Sequence, residues 1–174
     1  MNWYQMLFDL IDMRSFSNLW YWIALGVIWS SASHWSMGVP HDMVWRARRE
    51  GGQAQDDLES LVRINVARML HASRSYGPVL IGFVCFVVTI LVLLGFLYDV
   101  EFAQAVLFLF VPLVILGYMS LRTSVKVEAG EGQGAALIRR LGWHRLGVQV
   151  LGMLSIFVTS LYGMWVNIQF SLPG

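Results

Sequence analysis

The hydrophobic residues of this 174-residue chain are gathered into long runs, with the polar residues collected between them. A helix rises about 1.5 Å per residue, so crossing a hydrocarbon layer roughly 30 Å thick takes about 20 apolar residues. Residues 19–39, 78–98, 102–121 and 146–166 meet that length. None shows the alternation of a barrel strand, and in lipid a lone segment satisfies its own backbone only as a helix. The pattern predicts an all-α polytopic membrane protein, with four transmembrane helices in a single domain over residues 1–174.

The stretches between the runs carry further pattern. Within 40–77, Leu58, Leu61, Val62, Val66, Met69 and Leu70 recur at three- and four-residue spacing, while Asp56, Asp57, Glu59, Arg63 and Arg68 point elsewhere around the wheel. This predicts an amphipathic helix, bounded by Gly51 and Gly52 before it and by Gly77 and Pro78 after it. Its apolar face rests on the membrane, on the underside of the bundle or on a partner. Residues 122–145 read as a flexible loop, glycine-rich at 130–134, followed by a short basic helix. The N-terminus holds Trp3, Tyr4, Met6, Leu7, Phe8, Leu10 and Ile11 beside Asp9 and Asp12, the composition of a short helix lying in the interface. It has no basic leader or small-residue cleavage site and is expected to stay in the mature chain.

The first run differs from the second. Residues 78–98 are mostly Leu, Ile, Val and Phe, each favouring insertion by about 0.4 kcal/mol. The first run, LWYWIALGVIWSSASHW, carries serines and a histidine, so something other than lipid must face it. Gly26, Ser30, Ser33 and Met37 make one small, hydroxyl-bearing face at helical spacing. Gly152, Ser155, Thr159, Gly163 and Asn167 make a similar stripe on the fourth run. Small residues let backbones approach and hydroxyls bond across helices, so the two stripes are expected to be packing interfaces, within the chain or between chains. The second and third helices are then mainly lipid-facing, with Pro112 kinking the third by displacing the carbonyl of Phe108.

Charge supplies orientation. The net charge is only +1, but all the basic residues except Arg14 fall in two connections. Arg46, Arg48, Arg49, Arg63, Arg68 and Arg74 lie in the first, and Arg122, Lys126, Arg139, Arg140 and Arg145 in the third. Both connections are therefore expected on the cytoplasmic face of a bacterial inner membrane, with both termini periplasmic. A composition of 57% hydrophobic and 13% charged residues excludes an ordinary soluble domain and leaves too little display of charge for nucleic acid.

Candidate chemistry is sparse. His34, His41 and Asp42, with His71 and His144 at a similar depth, could be imagined around a metal, and His34 against a heme, but the spacing matches no recognised site. Cys85 is alone, so no disulfide or thiolate cluster can form within one chain. There is no phosphate loop, no nucleophile with a base at motif spacing, and no paired acid at span depth. The expectation is a protein that is not an enzyme and binds no cofactor. Trp45, Arg46, Arg48 and Arg49 form a basic cluster that meets lipid headgroups or a partner's acidic surface, or is simply the topogenic charge of a helix end. The function that follows is an accessory or scaffold subunit among membrane lipids, packing as a homo-oligomer or within a larger membrane complex. The alternative is a small homo-oligomeric pore lined by one of the polar stripes.

The stretch DMRSFSNLWYWIALGVIWSSASHW, followed by GVPHDMVWRARREGGQAQDDLESLVRINVARML, with EFAQAVLFLFVPL and SIFVTSLYGMW later, resembles a family of small bacterial inner-membrane proteins labelled component of SufBCD complex. The likeness spans most of the chain but rests on whole segments, so it transfers no functional residue. It implies a further alternative, a membrane docking component for iron-sulfur cluster assembly proteins.

Overall fold

The computed structural model describes Phe16 and residues 19–171, with side chains to Ile168 apart from that of Ser36. The N-terminal interfacial helix expected from Trp3 to Asp12 lies outside these residues. The described chain is nearly all helical. Helix α1 is Leu19–His34, followed by a two-stranded antiparallel hairpin of β1 (Trp35–Ser36) and β2 (Val39–Pro40), then α2 (His41–Glu50), α3 (Gly52–Val92), α4 (Glu101–Lys126) and α5 (Gly134–Ser171). The hairpin pairs Trp35 with Pro40 and Ser36 with Val39. Its central residues Met37 and Gly38 have φ of 56° and 73°, the mirror-image turn whose twist suits paired strands. The Asn65 amide donates to the carbonyls of Met37 and Gly38 at 3.3 and 3.2 Å and ties the hairpin to α3.

Two expected breaks do not occur. Helix α3 runs unbroken for 41 residues through Gly77 and Pro78, and α5 runs for 38 residues from the basic segment into the fourth apolar run. Pro78 removes one backbone hydrogen bond, a cost of about 3 kcal/mol in a helix interior. Packed side chains on the polar side and the need to satisfy every backbone group on the apolar side both favour continuing the helix. A wide turn at Leu93–Leu97 extends α3, and another at Val127–Glu131 extends α4, ending where Gly130 takes φ of 131°. The charged segments are thus largely continuations of the apolar helices.

Among the described residues three helices are long and apolar enough to cross a membrane, Gly52–Leu97, Glu101–Glu131 and Gly134–Ile168. Helix α1, with 16 residues, reaches about 24 Å and falls short of the 30 Å expected of a full span. The hairpin takes up residues 35–40, of which the apolar pattern assigns 35–39 to this helix.

The charged half forms a head with its own core. Val44 and Ala47 of α2, Leu58, Val62, Val66 and Leu70 of α3, Val127, and Leu137 and Leu141 of α5 are buried together with Val39. The apolar face of the amphipathic segment is therefore used inside the chain, and neither lipid nor a partner is needed to cover it. The head is clamped by Glu59, whose carboxylate accepts from the Gly134 N–H at 2.8 Å and the Gln55 amide at 3.0 Å. Further clamps are the Arg74–Glu128 and Arg140–Glu131 pairs. In the apolar half the cores are smaller. Phe16, Ala105 and Val166 pack with Tyr21, Phe108 and Tyr162, while Leu25, Trp29 and Val148 pack with Leu109, Leu116 and Leu151. The turn between α3 and α4 is locked by the buried Gln104 amide, which donates to the Gly95 carbonyl at 2.6 Å.

Candidate functional site

The two small-residue stripes occupy different surroundings. Gly152, Ser155, Thr159 and Gly163 are buried, and Asn167 is half-buried. Trp29 of α1 lies over Gly152, with its Cε3 only 2.9 Å from where a Cβ would stand, and Phe16 lies over Gly163 at 3.2 Å. Gly26 and Ser30 are exposed, Ser33 is half-buried, and nothing lies within 4 Å of a Cβ built on Gly26. The expected pairing of stripe against stripe is corrected: α5's glycines receive aromatic rings, Gly152 that of Trp29 in α1 and Gly163 that of Phe16, and the exposed Gly26 and Ser30 of α1 point away. Trp and Phe rings bury far more area than serines do, and a glycine opposite supplies the hole that a ring needs. Tyr21 fastens the same helix by donating to the Ala105 carbonyl at 3.1 Å, and the Phe16 N–H donates to Glu101 at 2.7 Å.

The basic cluster lies at the corner where α1 ends and α2 begins. Val44 and Ala47 face the head core, so Trp45, Arg46, Arg48 and Arg49 face outward. A concavity of about 450 Å³ is lined by His34, His41, Asp42, Trp45, Arg46, Arg49 and Glu50. Arg48 lies outside it. Arg46 reaches Glu50 at 3.9 Å with both side chains more than 60% exposed, a contact worth little in water. Neither Arg48 nor Arg49 makes an ion pair among the described residues. His41 Nε2 meets the Arg145 guanidinium, which requires the ring to be neutral and accepting. Burial, then Arg145 and His34, hold the His41 imidazole below its ordinary range against the pull of Asp42.

The other histidines do not join this corner. His144 is buried between hydroxyls, its Nε2 3.4 Å from Ser120 and its Nδ1 3.2 Å from Thr123. His71 is exposed on the head. Among the described residues no three His, Cys, Asp or Glu side chains stand close enough to share a metal ion. Cys85 is exposed on the apolar half of α3.

Exposed Trp and Tyr rings mark two levels. Trp35, Trp45, Tyr76, Tyr118 and Trp143 lie where charged helix meets apolar helix, and Trp20, Tyr98 and Trp165 lie at the opposite end. Tyr76 precedes Tyr98, and Trp143 precedes Trp165, by the same 22 positions, about 33 Å along a helix. Two independent helices thus mark a layer of bilayer thickness, bordered by the ring types that favour a membrane interface.

The His41–Arg145 contact and the Glu59 cap on Gly134 were not foreseen from the sequence. Their partners lie 104 and 75 positions apart, and no local pattern links them. No family model, curated protein or solved structure matches the chain.

Proposed function

We propose that this protein is a non-enzymatic accessory or scaffold subunit of a bacterial inner membrane, holding a compact charged head at a set distance from the bilayer. The supporting observation is the continuity of α3 and α5, which pass without interruption from the apolar layer into the packed head. A rod anchored in lipid and clamped in a second core transmits position, as a platform requires. In this reading the head is cytoplasmic by the placement of its arginines, both termini are periplasmic, and α1 completes a four-helix arrangement.

The face available for assembly is the outer side of α1, where Gly26 and Ser30 are exposed. The stripe on α5 is already covered by Phe16 and Trp29, so a pore lined by that stripe is not favoured. Docking of iron-sulfur cluster assembly proteins, implied by the family resemblance, would have to use the charged outer side of the head, because its apolar side is buried.

The test is native mass spectrometry of the tagged protein from nanodiscs, comparing wild type with Gly26→Leu. Assembly as a homo-oligomer or with companion chains, lost on Gly26→Leu with insertion intact, is the expected result. A solitary 19.8 kDa chain in wild type overturns the assembly reading.

A further inference from the structure

We infer that the corner between α1 and α2 is a binding site for the phosphate of an anionic phospholipid, held by Arg46 and Arg49 with the Trp45 ring beside it. Four observations converge. The corner lies at the aromatic level where apolar and charged surfaces meet, because the His41–Arg145 contact sets the start of α2 beside the beginning of α5's apolar run. The two arginines line one concavity of about 450 Å³, on a helix whose inward face is occupied by the head core. Arg49 has no acidic partner among the described residues, and Arg46 has only the loose, exposed contact with Glu50. Within the concavity Arg46 and Arg49 equal Asp42 and Glu50 in number, and Arg48 and Arg145 beside it bring the local balance to two positive charges.

Each group has a physical role. Guanidinium forks match phosphate oxygens in pairs. A Trp at this level puts its apolar body against the upper acyl chains and its N–H among the headgroups. His41 is engaged with Arg145, which leaves the arginines as the main source of positive charge. Free phosphate shares the anion chemistry, but the site's position at the edge of the apolar layer and the exposed Trp45 and Trp35 rings favour an anion attached to a lipid. The site is the same whichever partner the scaffold meets.

The experiment is lipid retention by the purified full-length protein. Delipidated protein in detergent is offered an equimolar mixture of phosphatidylglycerol and phosphatidylcholine, and the adducts are counted by native mass spectrometry. Wild type is expected to prefer phosphatidylglycerol, and R46Q/R49Q to lose roughly 30-fold of that retention, as expected for two basic side chains near a lipid surface. R46K/R49K keeps the charge and is expected to recover most of it. R63Q/R68Q removes the same charge from exposed positions on α3 and is expected to retain the wild-type preference. Absence of preference in wild type, or equal losses in R46Q/R49Q and R63Q/R68Q, overturns the site. Displacement of phosphatidylglycerol by millimolar inorganic phosphate overturns the lipid as its ligand.

Discussion

Helix α3 contains two regions that obey opposite rules. Along residues 52–76 it buries Leu58, Val62, Val66 and Leu70 and turns its charges outward. Along residues 77–97 it exposes Val79, Leu80, Ile81, Phe83 and Phe86 and buries little but Gly95. The backbone is the same, so the difference lies in the solvent. In water each buried Leu or Val contributes about 1.5–3 kcal/mol, and the helix must find partners. In lipid the tails are as apolar as leucine, so helices meet through close packing and occasional hydrogen bonds. The apolar half accordingly relies on point contacts: Trp29 on Gly152, Phe16 on Gly163, and Gln104 on Gly95.

The largest expected effect contrasts the two halves directly. Leu58 is fully buried, so Leu58→Ala should cost about 3 kcal/mol by leaving a cavity in the head. Phe83→Ala removes an exposed ring and should leave the thermal midpoint in nanodiscs nearly unchanged. Equal losses for the two would show that the apolar half of α3 is packed against protein.

Next comes the contact between α1 and α5. Gly152→Leu drives a side chain into the Trp29 ring and should cost about 1–3 kcal/mol by overpacking. Faster hydrogen exchange in α1 with an unchanged head is the expected signature. Gly26→Leu should leave that exchange alone, and a matching rise would restore the stripe-against-stripe arrangement.

A smaller effect belongs to Glu59. The Gly134 N–H, followed by the Gln55 amide, holds its carboxyl below the ordinary value of 4.5. A depressed carboxylate contributes stability that is full above its unfolded value and is lost as pH falls through the lower folded one. Exchange at the start of α5 should therefore rise on acidification below pH 4.5, and Glu59→Gln should remove that dependence. An unchanged profile in the variant would mean that another group caps α5.

Smallest is Arg74→Gln. The Arg74–Glu128 pair is bidentate at 3.2 and 2.6 Å but exposed, so its loss should cost less than about 1 kcal/mol. High salt should erase the difference between variant and wild type in a melting experiment.

Much of the helical content was legible in the sequence, and the errors have physical causes. The second, third and fourth apolar runs fall almost wholly within helices of spanning length, because a run of Leu, Val, Ile and Phe in lipid has no other way to satisfy its backbone. The spacing of Leu58, Val62, Val66 and Leu70 revealed an apolar face, but periodicity does not say which surface covers it. Gly77–Pro78 reads locally as the end of a segment, and the basic segment reads as separate from the fourth apolar run. Packing on both sides outweighs the local cost at the first, and the basic segment joins the last apolar run in one helix, while the glycines near 130–134 do separate α4 from α5. The stripes were recognised by residue size, but the pairing was not, because only assembled helices show that a glycine faces a ring.

By itself the sequence determined the helical class, the positions of the second, third and fourth apolar runs and the concentration of arginine near one set of helix ends. These follow from periodicity, hydropathy and charge, which are local properties of the chain. Only the tertiary structure decided that the charged segments fold into a head with its own core, that α1 turns its aromatic face to α5, and that Arg46 and Arg49 share a corner with His41 and Arg145. Those outcomes depend on which surfaces compete for one another across up to 104 positions, and the free energy of that competition resides in the contacts.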